Sequence, residues 1–306
     1  MVGEAAYADW IAVDWGTSHL RVYAVDEDGS VKADAASDMG MGSLKPDQFE
    51  GALLDLIEPW LGAGAVDILA CGMVGSRQGW VEAPYQTTPC TPLGNGLVSP
   101  DTTDSRLNIR VVPGVRQLSP TPDVMRGEET QIAGTLAKYS DFDGVLCLPG
   151  THTKWVQVSA GEIVSFQTFM TGELFALLAH QSVLRHSVQS SDWNEEAFDA
   201  AVSDTISRPE RLAARLFSLR AGSLIADLQA AEARARLSGA LIGAELSAAR
   251  PYWLGQTIIL IGTPELNAYY ARALSAQGVP IQSENSAEMT LAGLTATRAT
   301  LKESQG

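Results

Sequence analysis

Twice in this chain a short apolar run stops at a small polar tip and turns straight back into a second strand. The first is Trp10-Ile11-Ala12-Val13-Asp14, which turns through Trp15-Gly16-Thr17-Ser18 and returns over 20–25; Asp28-Gly29 then signals a hairpin into a third strand from Val31. The second is the run 144–148, which turns through Pro149-Gly150-Thr151-His152-Thr153 and returns over 154–158. A hairpin meander is not the βαβ opening of a Rossmann domain. Its recurrence predicts an α/β chain whose two halves pack around a cleft. Between and after the hairpins, apolar Phe49, Leu53, Leu54, Ile57 and Trp60 predict a helix over 46–61. Residues 66–71 predict a strand that runs into the Gly-rich turn 72–76. Residues 84–122, with seven prolines, predict loop and short strand. Helices are expected over 128–138, most of 172–202 and 208–245, 264–277 and 286–302, with strands at 256–261 and 279–282. The Ala- and Leu-rich helices at 173–185 and 210–246 are expected in the core between the halves, the other choice being a subunit interface in a homodimer.

Charge and missing motifs exclude several functions. Lys and Arg number 21 against 36 Asp and Glu, a net charge of −15, which repels a nucleic-acid backbone or an anionic membrane. An anionic small molecule must then be met by a few local cations and backbone N–H groups. The three cysteines, Cys71, Cys90 and Cys147, lie far apart with no CxxC and predict buried thiols in a reducing compartment. The first nine residues lack a basic leader and no apolar run reaches about eighteen residues, so the expected location is cytoplasmic. There is no Gly-Lys and hence no P-loop, and no G-x-S-x-G elbow. The Gly-x-Gly pairs at 40/42, 62/64 and 94/96 lack the third glycine of a dinucleotide fingerprint. His180 and His186 are six apart, off any common helical face, and predict no metal cage.

Four segments carry chemistry, each with a plainer alternative. Asp14, at the end of a strand, is placed to hold a hydrated Mg²⁺, with Gly16 allowing close approach of a phosphate and Thr17 and Ser18 supplying hydroxyls. The same letters also make an ordinary turn. Gly150, Thr151, His152 and Thr153 repeat that logic, and two such tips would grip a triphosphate through N–H and O–H groups without a basic surface. At 126–129, Glu128 and Glu129 open a helix whose dipole they complement. Alternatively one of them faces substrate as a base, with Arg126 binding an anionic or carbonyl group. At 262–264, Gly262 leaves room for a flat adenine, while Thr263 and Pro264 also read as an N-cap and first helical residue.

Taken in order, these segments resemble the actin/hexokinase superfamily of ATP-dependent phosphotransferases, and within it the 2-dehydro-3-deoxygalactonokinase family. The likeness rests on DWGTSHLR at the first tip, CGMVGSRQGW at 71–80, APY at 83–85, VMRGEETQ at 124–131, PGTHTKWV at 149–156, MTGEL at 170–174 and GALIGAE at 239–245. It implies two RNase H-like domains with five-stranded mixed sheets flanking a central cleft. Residues 1–127 with 288–306 would hold the first phosphate loop and the sugar acid; residues 128–287 would hold the second loop and adenosine. It implies transfer of the γ-phosphate of ATP, with Mg²⁺, to the 6-hydroxyl of 2-dehydro-3-deoxygalactonate. The alternatives are a related acceptor such as 2-dehydro-3-deoxygluconate, or a non-catalytic nucleotide sensor. By the same likeness Glu128 is the base where wider relatives carry Asp, and Glu129 is the other candidate beside the substrate. Met73, Val74, Gly75, Arg77 and Arg126 would contact the sugar acid. Gly262 and Thr263 would seat adenosine, and Lys154 would touch phosphate or point to solvent.

Overall fold

In the computed structural model, which describes residues 8–94 and 96–305, the chain forms two units. The opening residues 1–7, read above for a leader, lie outside the described part. Unit 1 comprises residues 1–143, 159–165 and 286–306, and unit 2 comprises 144–158 and 166–285.

Unit 1 begins with β1 (Trp10–Trp15), β2 (Leu20–Val25) and β3 (Val31–Ser37), followed by α1 (Phe49–Ile57) and β4 (Val66–Gly72). Next come β5 (Tyr85–Thr87), β6 (Leu107–Val111), β7 (Gly114–Gln117), β8 (Asp123–Met125) and α2 (Glu128–Lys138). The main sheet has the order β3-β2-β1-β4-β6, with β1 antiparallel to β2 and parallel to β4. β5, β7 and β8 form a small second sheet. β1 is apolar on both faces because both are covered. Ile11, Val13 and Trp15 meet Phe49, Leu53 and Ile57 of α1. On the other face, Trp10 and Ala12 pack with Leu294 of the C-terminal helix. Strand alternation puts Asp14 on that second face, at its open end.

Unit 2 is built from β9 (Gly144–Leu148), β10 (Thr153–Ser159), β11 (Glu162–Phe169), α3 (Thr171–His180), α4 (Glu195–Ser207), α5 (Leu212–Ile225) and α6 (Ala230–Ala248). It continues through α7 (Arg250–Trp253), β12 (Ile258–Gly262), α8 (Pro264–Ser275) and β13 (Ile281–Asn285). α9 (Ser286–Gln305) then returns to unit 1. The sheet order β11-β10-β9-β12-β13 repeats the topology of the first, with β9 antiparallel to β10 and parallel to β12. Its core joins Cys147, Trp155 and Leu260 to Phe198, Ile242, Leu246 and Tyr270.

Several expectations change. The helix expected over 46–61 is regular only over 49–57 and is flanked by 3₁₀ turns containing Pro46 and Pro59, which cannot donate to a helical ladder. β11 was not expected. The boundary expected at 127/128 falls inside unit 1, because α2 packs along α9. That packing is intimate: a Cβ on Gly134 would lie 2.0 Å from Met289 O, and one on Gly293 1.9 Å from Thr130 O. Residues 159–165 also belong to unit 1, where Cys90 and Ile163 exchange backbone hydrogen bonds of 3.2 and 2.8 Å. The helices at 210–246 are not all core. α5 leaves Phe217, Leu224 and Ile225 65, 63 and 86% exposed.

Candidate active site

At the end of the first sheet, Asp14 pairs with Cys71 across β1 and β4, and Trp15 with Gly72. Gly72 has φ +92°, and a Cβ there would sit 2.6 Å from Trp15 O, so the chain leaves β4 here only as glycine. It enters the 3₁₀ turn Met73–Gly75. Gly127 has φ +106°, and a Cβ on it would be 3.4 Å from Gly72 Cα. Two glycines thus bring the start of α2 against the end of β4.

This places four predicted residues together. The Asp14 carboxylate is half-buried and paired with Arg21 at 3.3 Å. Burial raises its pKa, Arg21 opposes that, and the charge of Glu128 adds to the rise. Glu128 accepts the Arg126 backbone N–H at 3.0 Å and is not fully buried. Arg126 is 8% exposed; its Nη2 donates to Ala83 O at 2.8 Å and its guanidinium lies 4.3 Å from the Tyr85 ring centre. Among the described residues its Nε and Nη1 have no hydrogen-bond partner. A Cβ on Gly75 would be 2.9 Å from Nη1, so the Met73–Gly75 turn lies directly on the guanidinium.

Glu129 does not reach the substrate side. Expected beside the substrate, it is fully buried; its two oxygens accept the Gly127 N–H at 2.9 and 2.7 Å, and Thr130 donates to it at 3.1 Å. Burial, then the charge of Glu128, pushes it up to about 7. It holds the Gly127 backbone at the start of its own helix and offers no surface to a ligand. Arg77 is exposed on the loop after the turn. Ser76, which the sequence reading passed over, has a buried hydroxyl with no partner among the described residues.

The first tip is braced from a second loop. Met41 N–H donates to Gly16 O at 3.0 Å and Gly42 N–H to Thr17 O at 2.9 Å, while a Cβ on Gly40 would strike Ser18 C at 2.3 Å. Thr17 and Ser18 remain exposed. The Gly40/Gly42 pair, rejected as a dinucleotide fingerprint, was the available signal for this brace.

In unit 2 the tip at 150–153 is seated on the first turn of α3. A Cβ on Gly172 would be 2.3 Å from Gly150 O; Glu173 N–H donates to Thr151 O at 2.9 Å, and the Glu173 carboxylate meets His152 Nε2 at 2.6 Å. Thr151 and His152 are exposed, but Thr153 is fully buried with its hydroxyl 3.0 Å from the Tyr270 oxygen, so that hydroxyl is not offered to a phosphate as expected. Lys154 is 4% exposed, which removes the solvent-pointing alternative. The room expected above Gly262 is taken by Asn267 Oδ1, 2.7 Å from where a Cβ would stand. Thr263 is the N-cap of α8, accepting from Leu266 N–H. A cavity of about 160 Å³ opens beside the tip instead, bounded by Gly150, Gly172, Phe175, Arg234, Glu265 and Tyr269. Arg234 lies 5.0 Å from the Phe175 ring centre, and Trp193 stacks on Tyr269 at 4.4 Å.

The same sheet topology is used twice, with a half-buried carboxylate at one hairpin tip and a helix-seated polar tip at the other, and the family that this chain matches makes it a carbohydrate kinase. The sequence profile of the 2-keto-3-deoxy-galactonokinase family matches residues 14–297, and the chain belongs to that family. It is 39% identical over 296 residues to a Rhizobium meliloti (strain 1021) protein named probable 2-dehydro-3-deoxygalactonokinase, covering 94% of this chain and 95% of the relative. It is 33% identical over 278 residues to the Escherichia coli (strain K12) 2-dehydro-3-deoxygalactonokinase, covering 90 and 92%. A Sinorhizobium meliloti crystal structure described as a 2-dehydro-3-deoxygalactonokinase superposes with a TM-score of 0.88 at 37% identity, over 95% of this chain and 99% of that one. Component A of the Acidaminococcus fermentans (R)-2-hydroxyglutaryl-CoA dehydratase shares the fold alone, with a TM-score of 0.51 at 11% identity over 95 and 98% of the chains.

Proposed function

We propose that this chain transfers the γ-phosphoryl group of ATP to the 6-hydroxyl of 2-dehydro-3-deoxygalactonate, releasing ADP, and does so in the cytoplasm. The observation that carries the reading is Arg126. A guanidinium with two buried nitrogens unpaired is unfavourable in an isolated protein, because desolvated donors left unpaired are costly. An anionic acceptor corrects this once the Met73–Gly75 turn shifts off the guanidinium, its carboxylate or ketone then taking Nε and Nη1.

Glu128 then orients the acceptor hydroxyl and takes its proton as the P–O bond forms. Its carboxylate accepts the Arg126 backbone N–H, which ties the base to the residue that binds the acceptor. In unit 2, the N–H groups around Gly150 and Thr151 hold phosphates and the cavity beside them takes the adenosine end. Among the described residues no three His, Cys, Asp or Glu side chains cluster as a metal cage. That fits Mg²⁺, which keeps several waters and binds through one carboxylate plus phosphate oxygens. Asp14 is the carboxylate for it, and the ion would neutralise charge on the transferring phosphoryl group. Such transfer is governed by positioning and charge more than by the base.

The test is a coupled ADP-release assay with 2-dehydro-3-deoxygalactonate and with its gluconate epimer. ADP release that requires the galactonate-derived acid supports the reading. Preference for the epimer changes the acceptor, and release that ignores both acids overturns it.

A further inference from the structure

One buried carboxylate has no part in the chemistry above, yet three elements send donors to it. Glu245 on α6 is 3% exposed. Its Oε1 accepts Trp155 Nε1–H from β10 at 2.9 Å, and its Oε2 accepts Tyr270 O–H from α8 at 2.8 Å. Thr171, the first residue of α3, also donates its hydroxyl to Oε2. Tyr270 in turn is 3.0 Å from the hydroxyl of Thr153, the last residue of the second tip. The neighbouring sequence explains the orientation. Gly239 and Gly243 turn toward α4, where Cβ atoms would lie 2.5 Å from Phe198 O and 2.8 Å from Val202 O. Two residues further on, about 200° around the helix, Glu245 points to the opposite side.

We propose that Glu245 is a positioning residue for nucleotide binding, holding the tip at 150–153, the start of α3 and the Tyr270 wall of the adjacent cavity in one arrangement. This rests on the reading of unit 2 as the nucleotide-holding unit. Thr171, Tyr270 and Gly150 all line that cavity, so the groups Glu245 ties are those a nucleotide would meet. Without the carboxylate the Trp155 N–H and the Thr171 hydroxyl would be left unpaired in an apolar interior, and Tyr270 would keep only Thr153. Burial pushes Glu245 up to about 7 although all its donors pull it down. The other titratable groups facing it, Cys147 from β9 and Tyr270 from α8, are themselves pushed up by burial and by its charge, so neither supplies a compensating cation.

The test compares Glu245→Gln and Glu245→Leu by calorimetric titration with ADP, alongside the KM for the sugar acid. An amide still accepts from Trp155, and its N–H groups find the Thr171 and Tyr270 oxygens once those hydroxyls rotate. Glu245→Gln therefore stays within about threefold of the parent Kd, whereas Glu245→Leu, which leaves Trp155 and Thr171 unpaired, weakens ADP about tenfold or more. The KM for the sugar acid stays within about twofold in both. If Glu245→Leu does not fold, Trp155→Phe, which removes a donor to Glu245 that does not line the cavity, carries the same expectation. A folded Leu variant or Trp155→Phe variant that binds ADP like the parent overturns the proposal, as does an equal loss in the Gln and Leu variants or an equal weakening of both substrates. A parent protein that binds no ADP sinks the functional reading instead, and the titration separates the two failures because it needs no acceptor.

Discussion

Substituting glycine by alanine has opposite consequences at two helical positions of unit 1. Gly293 of α9 faces α2, and its added methyl would lie 1.9 Å from Thr130 O, 2.9 Å from Thr130 C and 3.0 Å from Thr130 Cγ2. That is about 1.5 Å short of ordinary contact, and the obstacle is backbone, so no rotamer change relieves it. The two helices must separate along their shared length. Overpacking of this kind costs about 1–3 kcal/mol, against roughly 1 kcal/mol gained from better helix propensity. With rigid obstacles the upper range applies, leaving Gly293→Ala net destabilised by about 2 kcal/mol. Gly51 of α1 is exposed with nothing within 4 Å, so Gly51→Ala meets no obstacle and gains up to about 1 kcal/mol. Urea denaturation of the two variants gives the signs, and hydrogen exchange in peptides spanning 128–138 and 286–305 localises the loss. Equal shifts in one direction, or normal exchange in those peptides for Gly293→Ala, would refute the close-packing argument.

Three further outcomes are expected. Glu128→Gln lowers kcat by about 10²–10⁴-fold with little change in KM; near-normal turnover would remove it as the base. Arg126→Met raises the KM for the sugar acid by about thirtyfold or more while the KM for ATP stays put, which steady-state kinetics with each substrate varied in turn will read. For Glu129 the folded pKa of about 7 exceeds its ordinary 4.5, so its stability contribution is complete below about 4.5 and is lost as pH rises through 7. Glu129→Gln should therefore flatten the fall in unfolding free energy between those values, and urea midpoints measured across the range test it.

What could be read in the letters was local. Both hairpins announce themselves because strand, small-residue tip and returning strand are contiguous. The start of α2 was equally clear from Gly127 and the acidic pair. The choice between the two acids was not, because it depends on Gly72 and Gly127 folding the helix start back onto β4. β11 hid because its most buried residues, Ile163 and Phe166, are three apart rather than alternating. α5 has the Ala and Leu content of a core helix, and composition does not say which side remains open. The role of Asn267 at Gly262 was also out of reach, since a glycine's missing side chain gives no hint of what occupies the space. Glu245 gathers donors from β10, α3 and α8, and nothing in its own neighbourhood names them.

α9 follows the whole of unit 2 in the chain, yet it covers one face of the first sheet and packs along α2. During synthesis the first 143 residues therefore emerge with Trp10, Ala12 and the Gly134 side of α2 uncovered until the second sheet and its helices have been made. The earlier-made unit is the later one to finish, and in the interval its uncovered apolar face is open to misassociation.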